Sequence, residues 1–139
     1  MTWNRERRIG YYFTLPNVIF SLGLSYGEIA VYAYLLYQEN RRTHECHPSY
    51  RTIGDALGMT KNTVKKYVDL LEEHRLIRTR PSQIIKRDGT RQNGNLIYHI
   101  EPNVIAWQYR QKQLMAKNDL ELERVRIRLA AQKTPHRAP

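Results

Sequence analysis

The sequence predicts a mostly α, α+β domain with a β-hairpin and a long C-terminal helix. Three observations carry that prediction. Hydroxyl residues Ser25, Ser49 and Thr60 each stand just ahead of apolar residues at helical spacing. Strand-like stretches flank turn dipeptides between residues 76 and 100. Neither Gly nor a second Pro interrupts the chain from Pro102 to about Gln132.

Element by element, Ile9, Tyr11, Phe13 and Leu15 alternate with mostly more polar residues, the period of a half-buried strand. Pro16 suits the first turn of a short helix over 16–22 that Gly23 ends. Ser25 and Glu28 have capping-box spacing ahead of Ile29, Tyr32, Leu35 and Leu36, so a helix is expected from about 26 to 39. Residues 40–48 read as loop. Ser49 then caps a short helix whose apolar side is Ile53, Ala56 and Leu57 and which Gly58 stops. Thr60 caps the next, with Val64, Tyr67, Val68 and Leu71 inward and an end near His74. Leu76 to Lys86 and Asn95 to Ile100 form a long hairpin around Arg87-Asp88-Gly89 and Asn93-Gly94. The domain organisation is then a body over 1–100, a helix over 101–132 and a flexible tail over 133–139.

Composition narrows the function. Of 139 residues, 23 are Lys or Arg and 13 Asp or Glu, a formal charge of +10, while 41% are hydrophobic, enough to build a core. The charge is uneven: +2 over residues 1–10, −1 over 11–59, +5 over 60–100 and +4 over 101–139. A neutral, tyrosine-rich middle between basic segments is the footprint of a polyanion binder, because each neutralised phosphate releases counterions. No apolar run approaches the ~20 residues of a membrane-spanning helix, so no membrane association is expected. The basic, fairly apolar N-terminus lacks a small-residue cleavage site, which argues against a signal peptide. One cysteine, Cys46, precludes an internal disulfide and fits a reducing compartment, the cytoplasm by default.

The motif with chemistry in it is Tyr50 to Asp69, YRTIGDALGMTKNTVKKYVD. Two short helices crossing steeply need a small residue at the closest approach, supplied by Gly54, and a left-handed turn residue, supplied by Gly58. The five positions that must share an apolar face hold Ile53, Leu57, Met59, Val64 and Tyr67. This is a helix–turn–helix, and its second helix presents Thr60, Lys61, Asn62, Thr63, Lys65 and Lys66 to a DNA major groove. There Asn pairs with adenine, Lys reaches guanine or phosphate, and the hydroxyls bond phosphates or base edges. Asp69, a turn later, either accepts from cytosine or repels phosphate. Ser49, Arg51 and Thr52 at the first helix's N-terminus suit a phosphate. The hairpin that follows makes a wing whose tip carries Lys86, Arg87, Arg91, Gln92, Asn93 and Asn95, with Lys86, Arg87, Arg91 and Asn93 as its DNA contacts.

The stretches LSYGEIAVYAYLL and CHPSYRTIGDALGMTKNTVKKYVDLLEEHRLI resemble bacterial winged helix–turn–helix domains. Such domains occur in small transcription regulators and at the N-terminus of plasmid replication initiators (RepA type) and primosomal DnaD-type proteins. YYFTLPNVIF is similar to the segment that precedes the motif in the RepA-type initiators. The resemblance covers about residues 11–100 and implies a DNA-binding domain, usually dimeric. It implies either a transcription regulator or mobile-element control protein, or a DNA-binding or protein-docking module of a plasmid or mobile-element replication machinery. Two departures stand out: His74-Arg75 occupies the place where such domains usually have Gly or Asn before the wing, and a complete initiator carries a further C-terminal domain.

Competing readings have weaker support. His44, Cys46 and His47 are too close in sequence for a tetrahedral zinc site, so no metal or cofactor is expected, and the resemblance to winged-helix domains implies that Cys46, ahead of Pro48-Ser49, is a packing residue. No phosphate loop, paired carboxylates, nucleophile elbow or HExxH is present, so no enzyme is expected. A protein-docking winged helix would show apolar residues where Lys61, Asn62, Lys65 and Lys66 stand. Single-stranded RNA recognition wants aromatics on a sheet, whereas the tyrosines here fall mostly on helices. In the last helix, Val104, Ile105 and Trp107 are expected to pack on the body. Met115, Leu122, Val125 and Leu129 have heptad spacing with Asn118 in the seam, which favours a homodimer over packing on the chain's own domain.

Overall fold

The structure is a computed structural model that describes residues 10–132. Its elements in chain order are a 3₁₀ helix (Asn17–Ser21), α1 (Tyr26–Gln38), β1 (Glu45–Cys46), α2 (Tyr50–Leu57) and α3 (Lys61–Glu73). Then come β2 (Ile77–Arg80), β3 (Gln83–Ile85), β4 (Arg91–Asn93), β5 (Ile97–Ile100) and α4 (Asn103–Gln132). This is a winged helix–turn–helix: three helices packed on one another, a small antiparallel sheet ordered β1-β5-β2, and a long C-terminal helix. No described helix is long and apolar enough to cross a membrane.

The three helices start where their caps place them. Ser25 accepts from the Glu28 N–H at 3.4 Å, Ser49 from Thr52 at 3.0 Å and Thr60 from Thr63 at 3.2 Å. The capping box at Ser25 is only half made. Glu28 is buried and turns its carboxylate toward His74 Nε2, 3.5 Å away at the end of α3, so it joins two helices rather than closing its own first turn. Val31 and Leu35 of α1, Val64, Val68 and Leu71 of α3, Leu76 in the turn after α3, and Ile77 and Tyr98 of the sheet fill the shared core.

Several expectations need correction. The residues around 11–15 form no strand; Ile9 lies outside the described residues. No described strand runs alongside this segment, and alternation without a pairing partner leaves Tyr11 and Tyr12 exposed, with only Leu15 packed on the core and Phe13 stacked 6.0 Å from Tyr37. The short helix after Pro16 is 3₁₀ rather than α. The loop 40–48 contains β1, where Cys46 pairs with Tyr98 across β5. The single long hairpin is two ladders. β2 and β5 pair from Ile77↔Ile100 to Arg80↔Ile97, β3 and β4 pair from Gln83↔Asn93 to Ile85↔Arg91, and the break falls at Pro81, which has no N–H to donate. Gly94 crosses that break by donating to the Ser82 carbonyl at 2.9 Å.

α4 meets the body by another face than its apolar residues suggest. Ala106 is buried, Asn103 accepts from the buried Tyr32 hydroxyl at 3.1 Å, and the Arg110 guanidinium lies where a Cβ on Gly23 would stand. Val104, Ile105 and Trp107 are 56%, 39% and 45% exposed, contrary to expectation. The helix approaches the body closely, and a close approach selects the small Ala106 for the contact face. From Met115 to Gln132 every residue is exposed.

Candidate nucleic-acid interface

The helix–turn–helix closes through its glycines. A Cβ on Gly54 would stand 2.4 Å from the Met59 carbonyl oxygen, so only glycine allows the turn to fold over α2. Gly58 takes φ 70°, and its N–H bonds the Gly54 carbonyl. Gly27 on α1 plays a similar part that sequence reading missed: a Cβ there would lie 2.2 Å from the Tyr67 ring, so α3 rests its aromatic on bare α1 backbone. Its only signal in the sequence was a glycine inside a helical pattern.

This packing fixes which way α3 faces. Val64, Val68 and Leu71 point inward and are buried, which turns Lys61, Asn62, Lys65 and Lys66 together to solvent, with Asp69 closing that face a turn later. Thr60 is an exposed cap, and Thr63 is half-buried beneath it, their hydroxyl oxygens 2.9 Å apart. The Lys66 ammonium lies 5.8 Å from the Tyr67 ring centroid, which limits its swing. Neither α2 nor α3 has an acid in its first turn, so nothing offsets the positive helix ends there.

The N-terminus of α2 lies beside the base of the wing. Ser49 and Thr52 pair their hydroxyls at 2.8 Å, and both stay accessible. Arg51 sits 3.9 Å from Asp55, with both side chains 78% exposed, an ion pair weak enough to yield to a phosphate. Asn95, expected at the wing tip, is instead at its base, where its amide donates to the His47 carbonyl at 3.2 Å and ties the wing to the segment entering α2. Glu72 does the same from α3, accepting from both the N–H and the hydroxyl of Thr79 on β2 at 3.1 Å. The tip carries Lys86 and Arg87 at the turn with Arg91 and Gln92 beside it on β4, whereas Asn93, also expected there, pairs with Gln83 at the inner end of that ladder; all five are exposed. Asp88 is turn chemistry: the Thr90 hydroxyl and N–H bond its carboxylate and hold its pKa below the usual range. Two tip residues that sequence reading did not single out, Ile84 and Ile85, are 56% and 70% exposed.

Three arginines beside the helix–turn–helix are held by neighbouring side chains. Arg78 pairs with Glu101, Arg80 pairs with Glu45 through both of its terminal nitrogens, and Arg75 lies over the Tyr109 ring. Arg80 and, less, His99 hold the Glu45 carboxyl below its usual pKa. Among the described residues, no acid lies within ion-pair distance of Lys61, Lys65, Lys66, Lys86, Arg87 or Arg91. Arg41 and Arg42 in the loop before β1 and Lys112, Lys117, Arg124 and Arg128 on α4 have no such partner either, so α3's outer face and the wing tip belong to a wider unneutralised basic surface. Cys46 is buried, its thiol facing the Leu35 carbonyl at 3.6 Å, and burial pushes its pKa up to about 12, the state of a packing thiol.

Comparison with known proteins agrees with this architecture. Residues 22–77 match a family described as a helix-turn-helix domain. Among solved structures, a possible transcriptional regulator from Methanosarcina mazei Go1 superposes with a TM-score of 0.52 at 18% identity, covering 78% of this chain and 82% of that one. A probable transcriptional regulator from Pseudomonas aeruginosa gives 0.37 at 19% identity, over 83% of each chain. No curated protein matches. The match spans α1 to the start of β2, the segment in which Gly54, Gly58 and the buried side of α3 were found to set the crossing. Residues 22–77 thus match a helix-turn-helix domain and fold as the helix–turn–helix of a winged helix–turn–helix.

Proposed function

We propose that the chain is a sequence-specific double-stranded DNA-binding protein that acts as a transcription regulator, binding as a homodimer in the cytoplasm and catalysing no reaction. The observation that carries this reading is the exposed, unneutralised basic face that α3 and the wing present. Arg75, Arg78 and Arg80 are held by an aromatic ring or by acids, while Lys61, Lys65 and Lys66 on α3 and Lys86, Arg87 and Arg91 on the wing have no ion-pair partner among the described residues and are left for phosphates.

In this reading α3 enters the major groove. Asn62 reads an adenine edge through its amide, Lys61 and Lys65 reach guanine acceptors or phosphate, and Thr60 and Thr63 bond phosphates at the groove's lip. Ser49, Arg51 and Thr52 hold the backbone at one side, and Lys86, Arg87, Arg91 and Asn93 follow it, or enter the minor groove, at the other.

Selection of bound sequences from random duplex DNA at two salt concentrations tests the proposal. The expected result is an enriched motif with two half-sites about one or two helical turns apart. Its location in the source genome then decides between a promoter and a replication origin. Binding without a motif that vanishes with salt would overturn sequence-specific readout. Asn62→Ala should relax preference at one base pair, costing ~1–3 kcal/mol on the selected site. An unchanged selection profile would remove Asn62 from base readout.

A further inference from the structure

Every residue of the outer half of α4, from Met115 to Gln132, is exposed among the described residues, yet this half carries large apolar residues: Met115, Leu122, Val125 and Leu129 are 65%, 62%, 46% and 51% exposed. With Asn118 and Gln132 they form one stripe spaced alternately by three and four residues, the seam of a two-stranded coiled coil. Leu120 and Ile127, also exposed, lie on the opposite side of the helix and outside that seam.

The residues flanking the seam specify what covers it. Asp119 and Glu121 flank its first part, Arg126 and Arg128 its second, so each seam edge holds one acid followed seven residues later by one base. In an antiparallel pair a residue on one edge meets the same edge of the partner helix running the other way. Pairing centred between residues 123 and 124 sets Leu122 against Val125 and Asn118 against Leu129. It also sets Asp119 beside Arg126 and Glu121 beside Arg128, each of them twice by symmetry. Shifting the centre by half a heptad to the next a-to-d register brings either Asp119 and Glu121 or Arg126 and Arg128 against their own copies. A parallel pair in register matches only Glu121 with Arg126 and leaves Asp119 and Arg128 without an opposite charge. Asn118 then falls one layer from the seam's end, where water reaches its amide.

From this charge complementarity we infer that a second copy of this chain covers the seam, antiparallel, with the two-fold axis between residues 123 and 124. The inference rests on the homodimer part of the proposed function and assigns its interface. It leaves Val104, Ile105 and Trp107 near the body outside the seam's central layers.

Disulfide trapping in the full-length protein tests the arrangement, with the molar mass in solution measured alongside. Buried Cys46 stays in place. An equimolar mixture of Asn118→Cys and Leu129→Cys chains should cross-link to each other. Leu129→Cys alone should not, because an antiparallel pair holds its two copies roughly 16 Å apart along the axis. Leu122→Lys with Val125→Lys should give a monomer, whereas Leu120→Lys with Ile127→Lys should stay dimeric. Glu121→Arg should weaken the dimer about tenfold, and adding Arg128→Glu should restore it. Self-cross-linking of Leu129→Cys would overturn the antiparallel register while keeping the dimer. A dimer that cross-links in neither experiment would overturn the α4 interface. A monomeric native protein that still selects a DNA motif would overturn the inference and the homodimer while leaving DNA recognition standing.

Discussion

α3 and the outer half of α4 have much in common as sequences: both are amphipathic, both carry several lysines or arginines, and neither contains a glycine or proline. They differ in what their apolar stripes meet. Val64, Val68 and Leu71 of α3 are covered by α1, α2 and the sheet, so its polar side is turned outward by force of packing. Leu122, Val125 and Leu129 of α4 are left exposed by the described residues. Amphipathicity fixes that a helix has a face to bury, and only the three-dimensional surroundings say whether the chain itself buries it.

Replacing one leucine in each helix breaks the comparison most directly. Leu71→Ala should lower the unfolding free energy by about 2–5 kcal/mol, since it opens a cavity among fully buried neighbours. Leu122→Ala should change unfolding of the dilute monomer by no more than about 0.5 kcal/mol and should show its effect in the mass measured at higher concentration. Urea denaturation of both variants checks this, and equal losses in the two would place the outer half of α4 against the body.

Next in size is the contrast between two glycines that let α3 be gripped. Gly54→Ala forces a methyl against the Met59 carbonyl, which is backbone and cannot turn aside, and should cost about 2–3 kcal/mol. Gly27→Ala meets the Tyr67 ring, a half-buried side chain that can rotate away, and should cost about half as much. Paired thermal melts decide it, and a larger loss at Gly27 would mean that the ring has no room to move. A smaller effect is expected at Tyr98, whose hydroxyl is buried with no hydrogen-bond partner among the described residues and whose pKa burial raises. Tyr98→Phe removes that polar atom at no cost in packing and should be neutral or stabilising by up to about 1 kcal/mol. A loss of stability in the same melts would show that the hydroxyl is satisfied in solution.

Legibility in the sequence follows the range of the interaction. α1, α2 and α3 were readable to within a residue or two because Ser25, Ser49 and Thr60 cap them locally, and the outward set Lys61, Asn62, Lys65 and Lys66 followed from helical period alone. β1 was not readable: two residues, Glu45 and Cys46, become a strand only because Tyr98 and His99 lie opposite them more than fifty residues later. The stretch around Tyr11 and Phe13 failed for the converse reason, an alternation with no partner. Asn95 was misplaced to the tip because a hairpin read as one ladder puts its polar residues at the far end, whereas the break at Pro81 makes two ladders and leaves Asn95 at the joint. At α4 the contact face was misread because a close helix approach calls for Ala106 and Asn103 rather than for the bulkier Val104, Ile105 and Trp107.

The smallest expected effect lies where the two compared regions join. His74-Arg75 stands where winged helix–turn–helix domains usually place Gly or Asn, and Arg75 does adopt the left-handed conformation, φ 66°. The turn is a full Schellman closure: the Leu76 N–H bonds the Leu71 carbonyl and the Arg75 N–H bonds the Glu72 carbonyl, both at 3.1 Å, with Leu71 and Leu76 buried beside each other. A side chain in that conformation costs about 1 kcal/mol relative to glycine. Arg75 offsets part of the cost by laying its guanidinium 5.0 Å from the Tyr109 ring centroid, linking the end of α3 to the first turns of α4. Arg75→Gly removes both the strain and the stacking, so its stability should fall within about 0.5 kcal/mol of the native protein. Arg75→Ala keeps the strain and loses the stacking, and should be less stable than Arg75→Gly by about 1 kcal/mol. If alanine and glycine proved equal, the left-handed turn would carry no strain, and the arginine would owe its place to the Tyr109 contact alone.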